Sequence, residues 1–202
     1  MYFFVFIFLF GHSITCFPIS DKNEQKTEQN TTLLKRLEEY LDLLPTIKAS
    51  FIQINPDGEA IKGMLYIDRK KKKMRLDYKE KKQVIVVTDG FLFLHDINEN
   101  TIQEMDAAYT PAGLLLQPKI KFNSNVYVQE LIEKEDGTYL TLTDNKEGDH
   151  GSMTFYFSTK SFIKLKGWTV KDMQSNETTV TIDHLEGGIP LDENLFKKPQ
   201  TR

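Results

Sequence analysis

The chain has 202 residues, 40% of them hydrophobic, a formal net charge of −3 and a single cysteine, Cys16. That length suits one domain with a substantial core. One cysteine excludes an internal disulfide and a cysteine-based metal site, and the slight acidity argues against a dedicated nucleic-acid binder.

Tyr2 to Phe10 is an unbroken apolar run of nine residues, far short of the roughly 20 that span a bilayer as a helix. Gly11, Ser13, Thr15 and Cys16 follow, small and polar, as in a secretory signal with its cleavage region. Residues 1–20 are expected to be a cleaved signal peptide, although no Lys or Arg precedes the apolar run; a buried N-terminal strand is the alternative. Ser13-Ile14-Thr15 is a poor match to the residues that precede a lipidated cysteine, so Cys16 is a weak candidate for an anchor. Residues 21–32 are polar and charged without periodicity and read as a flexible leader.

Leu33, Leu34, Leu37, Tyr40, Leu41 and Leu44 recur at helical spacing, with Lys35, Arg36, Glu38, Glu39 and Asp42 between them. Thr31 or Thr32 is the expected cap, and Pro45 the stop. From Ile47 the period becomes two. Candidate strands are 47–55, 60–68, 73–78, 83–88, 91–95 and 101–106, then 125–134, 138–143, 151–158, 162–171 and 177–186. Turn signals such as Asn55-Pro56-Asp57-Gly58 and Asp89-Gly90 separate them. Without a βαβ rhythm the sheet should be antiparallel throughout and form one domain, residues 33–202.

The interruption Thr110-Pro111-Ala112-Gly113-Leu114-Leu115-Leu116-Gln117-Pro118 has a cap, a proline at the first helical position, a leucine run and a proline stop. A helix this short is unstable alone. Its leucines must pack on the concave face of the sheet, as a core plug or as a movable lid.

Reactive clusters are missing. His12, His95, His150 and His184 are scattered, there is no Gly-x-Ser-x-Gly elbow, and Asp144 to Asp149 lacks calcium-loop spacing. No enzymatic activity, cofactor or metal is expected. Arg69 to Lys73, with Arg75, Lys79, Lys81 and Lys82, is the strongest charge feature. It is either a solvated hairpin end that blocks edge pairing or a basic rim for anionic headgroups or an acidic partner. Phe51, Tyr66, Met74, Phe91, Phe93, Met105, Phe155, Phe157 and Trp168 suffice to line one face of a sheet. Under so few helices they leave room for an acyl-chain pocket.

Phe51-x-Gln53, Gly63-x-Leu65-Tyr66-Ile67-x-Arg69, Met74-Arg75-x-x-Tyr78, Asp89-Gly90, Thr110-Pro111 with Leu114-Leu115-Leu116, and Pro190-Leu191-Asp192-x-x-Leu195-Phe196-x-x-Pro199 follow one another in the order of a known family. The stretch from Leu33 to Pro199 resembles LolA, the periplasmic carriers of outer-membrane lipoproteins. The resemblance implies a mainly β fold: an unclosed antiparallel barrel of about eleven strands, with an N-terminal helix and a short lid helix over its concave face. It implies a monomeric periplasmic chaperone that binds acylated lipoproteins, receives them from an inner-membrane LolCDE-type exporter, and passes them to a LolB-type receptor or to the outer membrane. The same fold anchored through Cys16 would instead be a LolB-like receptor. By the same resemblance Arg69 locks the lid through its backbone and Met74 lies near cargo; the apolar pattern itself makes Leu114, Leu115, Leu116, Phe51, Phe93 and Trp168 candidate lid or cargo residues. The proline usual after the arginine is absent and the lysine turn is one residue longer, so Lys70 competes with Arg69 for the register.

Overall fold

The structure, a computed structural model, describes residues 22–201 apart from 123, 125 and 144–150. The signal peptide, Cys16, His12, His150 and the aspartate-rich turn at 144–149 lie outside the described residues. Helix α1 spans Lys22–Asp42 and begins about three turns earlier than the leucine pattern indicates. The segment expected as a flexible leader is therefore helical from residue 22. Its Lys, Glu and Gln residues are good helix formers, and extending an already nucleated helix costs little. Thr31 consequently sits inside the helix rather than capping it, and its Oγ1 donates to the Thr27 carbonyl at 2.9 Å. The helix stops before Pro45, whose carbonyl is taken by the Arg69 amide at 2.9 Å.

Eleven strands follow: β1 Thr46–Ile54, β2 Ala60–Asp68, β3 Lys73–Tyr78, β4 Gln83–Thr88, β5 Phe91–Asp96, β6 Thr101–Asp106, β7 Tyr127–Lys134, β8 Gly137–Thr143, β9 Ser152–Ser158, β10 Lys164–Lys171 and β11 Glu177–Gly187. They form one antiparallel sheet in the order β6-β5-β4-β3-β2-β1-β11-β10-β9-β8-β7. Each half is a meander of hairpins, and the halves join where β1 pairs with β11. The edges β6 and β7 do not pair, so the barrel is unclosed. The chain crosses between those edges through a three-ten turn at Ala107–Tyr109 and helix α2, Pro111–Leu115.

Alternation decides what each face holds. The concave face carries Ile47, Ala49, Phe51, Leu65, Ile67, Met74, Leu76, Val87, Leu140, Phe155, Phe157, Trp168 and Val180, all in one buried core. Register irregularities at Ser50/Phe51, Val128/Glu130 and Leu165/Gly167 bend the strands around it. Gly63 opposes Phe51, and a Cβ there would lie 2.4 Å from the phenyl Cζ. The glycine thus lets the ring lie flat across β2, where it meets Tyr78 edge-on at 5.6 Å. The Tyr78 hydroxyl donates to Gln53 Oε1 at 2.8 Å. Phe51, Gln53, Gly63 and Tyr78, scattered over three sequence motifs, are one packing unit.

A second, smaller core lies on the convex side. Val86, Phe93 and Phe196 are buried yet separate from the main core. Phe196 ends a three-ten turn, Glu193–Phe196, that packs on β3 and β4. Arg75 Nη1 donates to the Leu195 carbonyl at 3.1 Å, and Lys198 Nζ sits 4.3 Å above the Phe93 ring and 3.1 Å from Glu104.

Candidate functional site: the roofed concave face

The roof over the concave face is mainly α1. Leu33, Leu37, Leu41 and Leu44 are buried in the main core, with Leu37 at 0% exposure. Tyr40 packs edge-on against Phe157 with ring centres 6.1 Å apart, and its hydroxyl accepts from the Leu165 amide at 2.9 Å. Burial pushes the Tyr40 phenol up, and the Leu165 bond offsets part of the shift. Glu38 ties α1 to the crossing segment: Oε1 accepts from the Phe122 amide at 2.7 Å, and Oε2 lies 3.0 Å from Lys121 Nζ.

Helix α2 covers less than its leucine run indicates. Ala112 and Leu116 are buried, whereas Leu114 and Leu115 are half-buried and pack against the core rather than in it. Five residues make little more than one turn, so only one face of the run can reach the sheet. The roof expected over residues 111–117 is thus shared, with α1 holding the larger part.

Arg69 joins the two helices. It lies just beyond β2, on the side of Ile67, and is 3% exposed. Its Nε donates to the Gln117 carbonyl at 2.9 Å, just after α2, and its Nη1 donates to the Leu41 carbonyl in α1. Burial lowers its pKa, while Asp42 acts in the opposite sense. Lys70 is exposed, whereas Arg69 stands at the helix junction. The difference is one of face: residue 69 follows Ile67 inward, whereas residue 70 begins the turn.

Of the other expected residues, Phe51, Met74 and Trp168 are buried on the concave face. Phe93 is not. It opposes Val86 across β4 and β5, on the convex face with Phe196. Phe91-Leu92-Phe93-Leu94 is apolar at every position, so alternation could not tell which pair points inward. Tyr40, Leu37 and Phe196 were not singled out for a role, although Phe196 belongs to the C-terminal motif. The lysine turn meets that C-terminal segment: Lys71 pairs with Glu193. Beside it is a cleft of about 430 Å³ lined by Lys73, Thr88, Asp89, Glu193 and Lys197, outside the concave face.

Among the described residues no group of three or more His, Cys, Asp or Glu is placed to hold a metal ion. None of the described helices is long and apolar enough to cross a membrane. The site is an apolar concave wall under two helices clipped together by a buried arginine, which defines a binding fold with a cover. The chain belongs to the LolA family: the model described as "Outer membrane lipoprotein carrier protein LolA" matches residues 43–199. An outer-membrane lipoprotein carrier protein of Methylococcus capsulatus is 27% identical over 181 residues, 85% of each chain. An uncharacterized protein of Rickettsia prowazekii is 21% identical over 186 residues, 92% of this chain and 84% of its own. A crystal structure of a LolA superfamily protein from Nitrosomonas europaea aligns with a TM-score of 0.42 at 10% identity, covering 81% of this chain and 97% of its own. At family level the role is that of a lipoprotein carrier, in a family of carriers rather than enzymes.

Proposed function

We propose that this protein is a periplasmic carrier that holds the acyl chains of lipoproteins between the concave face of its sheet and the helices α1 and α2. The observation that carries the reading is the clip: a nearly fully buried arginine bonded to the backbone of both covering helices. Each methylene taken out of water is worth about 0.8 kcal/mol, so a multiply acylated anchor is never released freely into solvent. It must pass directly to an acceptor of equal or greater affinity. Without cargo, the same apolar wall would be an aggregation site unless covered, and the leucines of α1 with Leu116 of α2 cover it. Cargo then has to displace the helices, and the opening cost sets its net affinity. Arg69 tunes that equilibrium through charge-assisted bonds. In this role the donor is an inner-membrane exporter of the LolCDE type, the acceptor is a LolB-type receptor or the outer membrane itself, and the carrier works as a monomer.

The test is retention of a triacylated lipopeptide by the purified protein during gel filtration, against the same peptide without acyl chains. Only the acylated form should co-elute. Leu115→Asp should weaken its retention, and Arg69→Leu should strengthen it while slowing transfer to acceptor vesicles. Equal elution of both peptides would refute the carrier reading. Mass spectrometry of the mature N-terminus separates a carrier from a receptor anchored through Cys16.

A further inference from the structure

Arg69 has more donors than the closed cover uses. Nε and Nη1 are bonded to the Gln117 and Leu41 carbonyls, but Nη2 is buried and has no hydrogen-bond partner among the described residues. The residue is 3% exposed, so solvent does not reach it freely. Asp42 influences its charge without hydrogen-bonding to it. A buried charged donor left idle is more costly than a neutral one. Replacing it with an apolar residue would remove that cost, so an unused guanidinium edge points to an acceptor that arrives with the ligand.

Its position says which acceptor. Arg69 stands at the end of the sheet where β2 finishes and the C-terminal ends of α1 and α2 converge. Beyond it along β2 and β3 the wall is hydrocarbon: Ile67, Leu65, Met74 and Leu76. Acyl tails lying on that wall leave their first polar atoms, the ester carbonyls that link them to glycerol, at this rim. We propose that Arg69 Nη2 is the donor for an acyl-ester carbonyl oxygen of the bound lipid. When α1 and α2 lift, the bonds to the Leu41 and Gln117 carbonyls are given up and the single bond from Nη2 is gained, so on balance the residue still favours the closed cover, and Arg69→Leu still retains acylated peptide more strongly. The residue that clips the cover shut is then also the polar subsite of the open state. The inference rests on the carrier reading and adds a chemical preference to it: ester-linked chains over ether-linked chains of the same length.

The experiment compares two synthetic S-glyceryl-cysteine peptides in detergent-free binding assays with the full protein. One carries two ester-linked palmitoyl chains and the other two ether-linked hexadecyl chains. Hydrogen bonds to a charged donor correspond to about a 10- to 100-fold preference for the ester form. Arg69→Leu should bind both with equal affinity, and Arg69→Lys, a safeguard should the leucine variant fail to fold, should show a reduced ratio. Equal affinity of the unaltered protein for ester and ether overturns the subsite and leaves the carrier reading standing. A preference that survives both substitutions also overturns it, because another donor is then responsible. Binding of neither peptide removes both readings.

Discussion

Whether α1 is a cover or simply part of the core is decided by Leu37→Ala. Leu37 is 0% exposed and lies midway along the buried row Leu33, Leu37, Leu41 and Leu44. Truncating a buried leucine to alanine costs about 2–5 kcal/mol, less where the surroundings can settle into the gap. A single helix resting on a sheet can settle, so the lower half of that range, about 2–3.5 kcal/mol, applies here. If α1 lifts as a unit while the sheet stays folded, that energy is removed from the local opening reaction. Native-state hydrogen exchange should then speed up by about 30- to 300-fold at the amides of residues 33–41. Amides of the central strands β1, β2 and β9 should report only the smaller change in global stability, and uptake of an apolar fluorescent dye should rise with the helix exchange. Acceleration by the same factor in α1 and the central strands would mean that helix and sheet open only together. The roof would then be core, and gating by α1 would be wrong.

Two further expectations concern the sheet. Burial pushes the Tyr78 phenol up to about 12, whereas an unfolded tyrosine ionises near 10. The stability this group contributes is complete below pH 10 and is lost as pH rises through 12, about 2–3 kcal/mol in all. Urea midpoints measured across that window should fall less steeply in Tyr78→Phe, and parallel curves would show that Tyr78 ionises freely in the folded protein. Phe196→Ala should cost about 3–5 kcal/mol in the same titration. Because Phe196 packs outside the concave face, acylated-peptide affinity should be unchanged at temperatures where the variant is folded; a matching loss of affinity would place it with the cargo.

The strands were legible because their punctuation was chemical. Asn55-Pro56-Asp57-Gly58 and Asp89-Gly90 can hardly be anything but turns, and the runs between them alternate, so observed strand ends fall within two residues of the expected ones. Where the pattern lacked contrast, the reading failed. Lys22 to Thr32 carries helix-forming residues but no apolar face, so propensity alone marked it, and propensity is a weak signal beside periodicity. The four apolar residues Phe91 to Leu94 gave no clue that Phe93 faces outward, because the segment that buries it arrives a hundred residues later in Phe196. Arg69 was legible as a residue but not as a junction. A bond to the lid backbone was expected from the family resemblance, with no particular carbonyl named, while its bond to Leu41 depends on where α1 lands, which is a tertiary fact.

The pairing of β1 with β11 bears on how the protein is made. Residues 46 to 106 can assemble as neighbouring hairpins as soon as they are available, but the free side of β1 has no companion until Glu177–Gly187 arrive. Until then that flank is an open template for wrong β-pairing, close to the leucines still waiting for a sheet to lie on. Completion therefore hinges on the segment from Glu177 onward. A nonsense truncation just before residue 177 would leave two half-sheets with nothing to zip them together.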